Sequence, residues 1–293
     1  MKKGDFLNMG KNDNLPSIQD TNSWLPVAEA FGRKAQIYDS FGQNHPNLTR
    51  MRLRVRAHIE SLLPIGSHLL EINAGTGADA AYFASRGYRV HATDLSPGML
   101  EKIQEKILNG DLAGRLTAQR VSFTALEQVK CGPFDGLLSN FGGVNCISDL
   151  TRITRNLPAL LKPGGVVIWV VMPPICLWEL VQLLRGKLHL GLRRLTPNGI
   201  QANVEGLPVH TYYYTARQVR KAFGPDFLSL HLEGLSVFTP PADHKEFPSH
   251  HPNLYRWLVW LDDRFSGHFP FHSWGDFYIL SLRYTPESSE AVE

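Results

Sequence analysis

The order of apolar and polar positions predicts regular alternation of strands and helices between residues 68 and 172. Short apolar runs bounded by turn residues indicate buried strands. The five predicted strands are HLLEIN (68–73), YRVHATD (88–94), RVSFT (120–124), FDGLLSNF (134–141) and VVIWVVM (166–172). The third is the weakest of the five.

Segments of helical spacing connect these strands. They are ADAAYFASRG (78–87), SPGMLEKIQEKIL (96–108) and SDLTRITRNLPALLKPGG (148–165). Ser96 suits an N-cap and Pro97 the first helical position. The last helix places its apolar residues on one face: Leu150, Ile153, Leu157, Leu160 and Leu161. Such alternation predicts an α/β fold with a doubly wound, mostly parallel sheet.

Two helices are predicted before the first strand. One begins at Trp24 and runs to residue 42, and the other spans residues 47–64, with Leu53, Ile59 and Leu62 facing the core. Residues 1–20 are polar and are predicted to be a disordered tail.

The regular alternation of strands and helices ends after residue 172. We interpret residues 173–215 as an insertion that caps the fifth strand. It comprises a helix (176–186), a basic turn KLHLGLRR (187–194) and a strand-like run ending in HTYYYT. A helix (216–224) and two strands, LSLHLEGLSVF (228–238) and DFYILSLRYT (276–285), then complete a seven-stranded sheet.

The predicted domain organisation is one domain over residues 21–293. Within it we expect a helical lid (21–66), a core (67–172), the cap insertion (173–215) and a closing segment (216–293). A length of 293 residues and a hydrophobic fraction of 43% fit one large globular domain.

Charge and cysteine content narrow the function classes. A net charge of +3 gives no argument for a nucleic-acid partner. The longest apolar passage (166–181) is interrupted by Pro173 and Pro174, so we expect no integral membrane segment. Three separated cysteines contain no C-x-x-C pair, and the histidines lack ligand spacing, so we expect no metal site and a cytoplasmic location.

The turn after the first strand raises the functional question. Gly75, Gly77 and Ala80 satisfy the G-x-G-x-x-G/A pattern of a dinucleotide fold, and Asp94 follows where a ribose-binding acid belongs. Glu71 lies four residues before Gly75, where a negative charge would repel a pyrophosphate and attract a cation. This favours S-adenosylmethionine over a nicotinamide dinucleotide.

The run LLEINAGTGADAAYFASRGYRVHATDLSPGML, followed by FDGLLSNFGGVN and LLKPGGVVIWVVM, resembles the class I S-adenosylmethionine-dependent methyltransferases. The likeness covers residues 28–172 well. It implies a Rossmann-like methyltransferase fold and S-adenosylmethionine as the cofactor.

The resemblance also implies a set of cofactor contacts. Gly75 and Gly77, with Glu71, Asn73 and Ala74, would surround the methionine portion. Asp94 would accept from both ribose hydroxyls. The remaining expected contacts are Leu95, Met99, Ala125 and Leu126 at the adenine, Asn140 with Phe141 at the amino group, and Tyr38 on the lid. Two positions depart from the family pattern: Thr124, Ala125 and Leu126 stand where many relatives have an Asp, and Asn73 replaces a small residue.

Candidate catalytic residues come from the cap. Glu179 follows the fifth strand and could accept a proton or bind an amine. In HTYYYT either Tyr212 and Tyr214, or His210 and Tyr213, would line the pocket, and His210 could act as a base. The basic residues Arg185, Lys187, Arg193 and Arg194 could meet an anionic substrate or a membrane surface, or form a solvated turn.

We therefore expect methyl transfer by in-line displacement to a small apolar or aromatic metabolite, such as a natural product or a quinone-like compound. The aromatic residues of the cap and tail favour that class. A monomer or homodimer is expected. The alternatives are an NAD-dependent oxidoreductase and a non-catalytic S-adenosylmethionine-binding protein.

Overall fold

The computed structural model describes residues 25–42, 45–204 and 207–286. The expected tail over residues 1–20 lies outside this part of the chain. The strands are β1 His68–Ile72, β2 Arg89–Asp94, β3 Leu116–Arg120, β4 Phe134–Ser139, β5 Leu161–Val171, β6 Ile200–Val204, β7 Leu207–Thr211, β8 Phe227–Leu235 and β9 Phe277–Tyr284. The helices are α1 Leu25–Gly42, α2 Pro46–Leu62, α3 Ala78–Ser85, α4 Pro97–Asn109, α5 Thr151–Thr154, α6 Leu157–Leu160, α7 Leu177–Leu184, α8 Leu188–Leu192, α9 Ala216–Phe223, α10 Phe247–His250 and α11 Pro252–Phe265.

Seven strands form one sheet in the order β3-β2-β1-β4-β5-β9-β8. The pairs β1–β2, β2–β3, β1–β4 and β4–β5 are parallel, whereas β9 runs antiparallel to both β5 and β8. The predicted seven-stranded, mostly parallel sheet of a Rossmann-like α/β fold is confirmed. Because the chain returns to β4 beside β1 after reaching β3 at the edge, the switch point lies between β1 and β4.

Both faces of the sheet are covered by helices. One face buries Met51, Val55 and Ile59 of α2 with residues of α3 and α4. The other face packs the apolar residues of α5, α6 and α9 against β4, β5 and β9. A strand buried on both sides explains why "VVIWVVM" is continuously apolar.

Local capping sets several helix boundaries as expected. The Ser96 hydroxyl accepts from the Met99 amide at 3.4 Å and Pro97 occupies the first turn of α4. Thr215 and Gln218 form a capping box at the start of α9. These bonds satisfy amide groups that have no partner inside the helix.

The predicted core face of α2 is wrong at Leu53, which is 55% exposed. The buried positions are Met51, Val55 and Ile59, which are spaced four residues apart. Because these three side chains face the sheet, Leu53 points away from it.

Two predicted element boundaries are also wrong. The third strand was expected at residues 120–124, but β3 ends at Arg120, because this edge strand buries few side chains and its pattern is weak. The single helix expected over residues 148–165 is split into α5 and α6, since Pro158 cannot continue a helix. The apolar residues of both pieces still face the core, and β5 begins at Leu161.

The cap differs from its prediction in one segment. The basic turn expected at residues 187–194 contains α8 and a 3₁₀ turn at Arg193–Leu195. Gly191 allows α8 to approach α7, because a Cβ there would lie 2.4 Å from the Leu183 Cδ2 atom. Strands β6 and β7 form an antiparallel hairpin outside the main sheet.

The aromatic-rich segment before β9 holds α10 and α11, which the sequence analysis did not predict. Asp262 of α11 is buried and accepts hydrogen bonds from the amides of Val237 at 3.0 Å and Phe238 at 2.8 Å. It also accepts from the Thr239 hydroxyl at 2.6 Å and from Arg50 at 3.3 Å. This one carboxylate therefore ties the loop after β8 to α11 and α2.

We expect Asp262→Ala to lower the free energy of unfolding by about 3 kcal/mol, because it leaves several buried donors without an acceptor. The adjacent Asp263→Ala is the matched control. Asp263 also pairs with Arg50, at 2.6 Å, but its side chain is 54% exposed, so its loss should cost under about 1 kcal/mol. Urea denaturation measures both, and equal losses would contradict this role for Asp262.

Candidate functional site

The carboxyl ends of β1 and β4 open the crevice that this sheet order predicts. The segments after both strands have unusual backbone conformations. Asn73 has a φ of 54° and Phe141 a φ of 46°, a region that residues other than glycine rarely adopt. Such strain concentrates at binding sites, so both ends belong to the candidate site.

The two glycines of the first turn have different surroundings. A Cβ on Gly75, whose φ is 57°, would meet no atom within 4 Å, so this residue faces open space that a ligand can enter. A Cβ on Gly77 would lie 2.7 Å from the Ile103 Cγ1 atom, so Gly77 serves the packing of α3 on α4. Ala74 is buried beside this turn. Asn73 takes the strained position that a glycine commonly fills, which is compatible with its short polar side chain.

Asp94 ends β2 beside this turn. Its Oδ2 accepts from the Gly75 amide at 2.9 Å and its Oδ1 from the Ser96 amide at 2.9 Å. Burial raises the pKa of Asp94 to about 6, against the lowering effect of these backbone hydrogen bonds. Each carboxylate oxygen keeps a second lone pair, so both can still accept from a diol.

Helix α1 lies across the start of α4 next to Asp94. A Cβ on Gly32 would lie 3.1 Å from the Ser96 Oγ, and one on Gly98 would lie 3.1 Å from the Gly32 carbonyl oxygen. Tyr38 belongs to α1, but its side chain is outside what the structure describes. The lid role expected of this segment stays a prediction.

The expected adenine contacts are unevenly placed. Leu95 is partly buried and packs against the core cluster that includes Leu126. Leu126 and Met99 are buried, whereas Ala125 is partly accessible. Glu127, the acid nearest to the expected Asp position, is exposed.

Glu71 is buried in the layer between β1, α2 and α3. It lines a small void of about 10 Å³ with Asp79 and Asn140, and its Oε2 has no hydrogen-bond partner. Burial, and next the charge of Asp79, raise the pKa of Glu71 well above its ordinary value. Both effects disfavour the ionised form on which the argument for a cationic ligand rests, and the predicted role of Glu71 stays a prediction.

Asp79, in the first turn of α3, is the hydrogen-bonded and ion-paired member of this pair. Its Oδ1 accepts from the Arg56 Nε at 2.7 Å, and its Oδ2 accepts from the Asn140 Nδ2 at 2.8 Å. The Asn140 Oδ1 in turn accepts from the Phe141 amide at 2.9 Å. Both polar atoms of the Asn140 side chain are therefore hydrogen-bonded within the protein. The contact predicted with the ligand's amino group would come from the backbone carbonyl of Asn140.

Arg52 is a residue of this site that the sequence analysis missed. It lies on α2, its guanidinium is 5.4 Å from the centre of the Phe141 ring, and it reaches Asp79 only at 3.9 Å. Arg56 is held closely by Asp79, so Arg52 is the better placed of the two to meet an anionic group. The available signal was the arginine-rich RMRLRVR run, whose pairing with α3 is not local in sequence.

A cleft of about 1110 Å³ extends from α2 and the ends of β4 and β5 to the cap. Its inner end includes Ala78, Phe141 and Met172, and its outer wall comes from the cap and from residues 241–244. A volume of this size holds a cofactor's amino-acid end together with a small substrate.

Glu179 lines the cleft but is held in an ion cluster. Arg193 donates to both of its oxygens at 2.7 Å, and the buried Arg194 donates to Oε1 at 2.7 Å and to Asp276 at 2.9 Å. Burial alone would raise the pKa of Glu179, but the two guanidinium groups outweigh it and hold the pKa below its usual value. A carboxylate so stabilised is a poor proton acceptor, so the cluster anchors the cap to β9 instead.

His210 and Tyr212 are placed on the side of their strand that faces away from the cleft. The His210 Nε2 lies 2.6 Å from the Asn198 carbonyl oxygen, and its ring stacks on Tyr212 at 4.5 Å. Thr211 and Tyr213 line the cleft in their place. Of the four residues in the two predicted sets, Tyr213 alone is among the residues that line the cleft.

The position of Tyr213 follows from Asn145, a buried residue that the sequence analysis did not single out. The Asn145 Nδ2 donates to the carbonyls of Tyr212 at 2.6 Å and Met172 at 3.1 Å, and its Oδ1 accepts from the Met172 amide at 3.0 Å. One amide thus joins the ends of β5 and β7.

Comparisons with known proteins identify the domain that carries this site. Residues 69–165 match the family described as "Methyltransferase domain". The chain carries a methyltransferase domain. The predicted class, the class I S-adenosylmethionine-dependent methyltransferases, is confirmed for this domain, and with it the prediction that S-adenosylmethionine is its cofactor.

Relatives and solved structures agree with this family. The malonyl-[acyl-carrier protein] O-methyltransferase of Serratia marcescens is 30% identical over 57% of this chain and 60% of that protein. The demethylmenaquinone methyltransferase of Tropheryma whipplei is 29% identical over 55% of this chain and 64% of that protein. The chain therefore spans less than two thirds of the length of these relatives.

One solved structure shares the fold over most of the chain. The 1,6-didemethyltoxoflavin-N1-methyltransferase of Burkholderia thailandensis, determined with S-adenosylhomocysteine bound, superimposes with a TM-score of 0.56. The match covers 93% of each chain at 16% sequence identity. This shows a common fold, including the closing strands.

Two further observations concern the described residues alone. Within them, no cluster of three or more histidine, cysteine or acidic side chains is arranged to ligate a metal ion. None of the helices there combines the length and the apolar character needed to cross a bilayer.

The residues present fit S-adenosylmethionine. Gly75 faces open space next to Asp94, a carboxylate able to accept from two ribose hydroxyls. Arg52 lies at the inner end of the cleft, where it can meet the carboxylate of the amino-acid end. These donors and acceptors match a nucleoside joined to an amino acid.

Cofactor binding should depend on the ionisation of Asp94. Hydroxyl donors favour the charged carboxylate, so affinity for S-adenosylhomocysteine should be constant above pH 7 and fall about tenfold per unit below the pKa of about 6. Asp94→Asn should bind ten- to a hundredfold more weakly at pH 7.5, with no such dependence. Calorimetry between pH 5 and 8 measures both, and a pH dependence that persists in the variant would contradict this assignment.

Arg52→Ala should weaken the binding of S-adenosylhomocysteine by about tenfold or more. The affinity for 5′-methylthioadenosine, which lacks the amino-acid end, should change by less than about twofold. Arg89→Ala is the control, because Arg89 is exposed at the opposite end of β2. An equal loss of affinity for both ligands would show that Arg52 only supports the fold.

Proposed function

We propose that this protein transfers a methyl group from S-adenosylmethionine to a small-molecule acceptor held between the core and the cap. The observation that carries the proposal is the continuity of one cleft, which runs from the inner end at Ala78 and Phe141 to the cap residues Arg185 and Arg193. The family match and the free face of Gly75 support the cofactor half of it.

The acceptor we infer is anionic at or near the atom that is methylated. Among the described residues lining the cleft, the carboxylates of Glu179 and Asp276 are bound by Arg194, and Asp243 and His244 are exposed at the rim. The described cleft therefore offers several cations but no buried, unpaired base. An acceptor that is already a carboxylate, a phenolate or an enolate needs no base to become a nucleophile.

This inference refines the apolar or aromatic metabolite expected from the sequence. Phe141, Met172 and Phe277 give the inner end an apolar lining, while Arg52, Arg185 and Lys187 contribute positive charge. An apolar or aromatic body that carries an acidic group fits both. The names of the relatives above, a malonyl-carrier O-methyltransferase and a demethylmenaquinone methyltransferase, are compatible with such an acceptor.

The contribution of the chain is mainly geometric. When bound, S-adenosylmethionine supplies a methyl group on a positively charged sulfur that departs with the bonding electron pair. Asp94 and Arg52 would fix the two ends of the cofactor, and the cap would hold the acceptor in line behind the methyl carbon. Fixing both partners removes orientational freedom, which provides much of the rate of such displacements.

The expected result is release of S-adenosylhomocysteine when the protein is incubated with S-adenosylmethionine and an anionic acceptor. A suitable panel compares malonyl thioesters and nitrophenols, which are ionised near neutral pH, with uncharged alcohols, amines and transfer RNA. Asp94→Ala should lose turnover, whereas Glu179→Gln should lose thermal stability more than it changes the pH profile. Methylation confined to transfer RNA or amines would overturn the proposed acceptor class.

The same preparation tests the two rival functions. An oxidoreductase would bind NADH and not S-adenosylhomocysteine, the reverse of our expectation. A non-catalytic binding protein would bind S-adenosylhomocysteine without turnover of any acceptor in the panel.

A further inference from the structure

The cap carries five large aliphatic side chains that face solvent. Leu184 is 87% exposed and Leu188 is 63% exposed, values far from those of core leucines. We call this set the cap apolar patch; its members are Val181, Leu184, Leu188, Leu192 and Leu195. All five lie within residues 181–195, and exposed apolar side chains concentrated on one element mark an interaction site more often than scattered single residues do.

The patch sits on an element that is fixed to the rest of the protein. Helices α7 and α8 pack against each other through Leu183 and Gly191. Arg194 then fastens this pair to the sheet through Glu179 and Asp276. The exposed leucines are therefore presented on an anchored helical hairpin.

The charged residues of the segment that carries the patch have one sign. From residue 180 to residue 204 the sequence contains no Asp or Glu. Arg185 and Lys187, in the turn between α7 and α8, are exposed. Arg193 and Arg194 are balanced by Glu179 and Asp276, so Arg185 and Lys187 provide the outward positive charge.

We propose that the cap apolar patch docks on an anionic lipid surface. Leucine and valine beside arginine and lysine form the pattern of a helix that lies in the membrane interface, its apolar side chains among the acyl chains and its cations at the headgroups. A protein partner is less favoured, because the patch contains no Trp or Tyr, the residues that dominate protein interfaces. A second copy docked on the same face would bring Arg185 and Lys187 near their own equivalents.

Docking in this way would also place the mouth of the cleft at the membrane. Arg185 and Lys187 line the cleft as well as flanking the patch. An amphiphilic anionic acceptor could then pass from the lipid into the cleft without crossing water. This last consequence rests on the proposed function, whereas lipid binding itself does not.

The test is flotation of the full-length protein with phosphatidylcholine vesicles prepared with and without phosphatidylglycerol. We expect binding to the vesicles that contain phosphatidylglycerol. Leu184→Ser with Leu188→Ser should abolish it. Arg185→Gln with Lys187→Gln should weaken it by about fivefold per charge removed and erase the preference for the anionic lipid.

The matched control is Trp257→Ser with Trp260→Ser, which removes two exposed apolar side chains from α11 and should leave vesicle binding in place. Unchanged unfolding midpoints and S-adenosylhomocysteine affinity for the cap leucine variant would show that its fold is intact and keep this test separate from the proposed function. The proposal is overturned if the wild type does not float with either vesicle. It is also overturned if the cap leucine variant floats like the wild type, or if that variant converts a dimer to a monomer without changing flotation.

Discussion

The carboxylate of Asp79 holds the inner end of the cleft together, because it joins three segments that are distant in sequence. It lies in the first turn of α3, where the helix dipole favours a negative charge, and it accepts from Arg56 of α2 and from Asn140 after β4. Glu71 beside it is pushed toward its neutral form by burial and by that charge. Asp79 thus braces the start of α3 against α2 and against Asn140, the residue before the backbone bend at Phe141.

The parts of the fold that sequence reasoning predicted are those with a strong local signal. Buried parallel strands are continuously apolar, and the Ser96–Pro97 pair fixes where α4 begins. The errors at the edge strand β3 and at Pro158 fall where that signal fades. Helix α11 is different, because its partly buried apolar residues recur at three and four residues, a helical signal that the sequence analysis did not use; they are Tyr255, Leu258, Leu261 and Phe265.

The candidate site also contains residues whose place the sequence could predict and residues whose role it could not. Gly75 and Asp94 could be placed because their spacing along one strand–turn–strand unit fixes their meeting. Glu179 lines the cleft, but its chemistry depends on Arg193 and Arg194, and no local sequence pattern shows that these arginines fold back onto it. His210 and Tyr212 show the limit of alternation, since a period of two gives two faces without saying which one meets the ligand.

The two ends of the cleft differ in how their residues are held in place, and this difference constrains the chemistry. The inner end is strained and braced, as suits a cofactor whose groups must be met at fixed points. The outer end is a short hairpin anchored by one buried ion cluster, with its cations and leucines turned outward. Under the proposed function, a cleft whose described lining holds several cations and no buried, unpaired base would select acceptors by their existing charge. It therefore suits a nucleophile that arrives ionised, and an amphiphilic body would let such a nucleophile reach the cap from a surface rather than from bulk water.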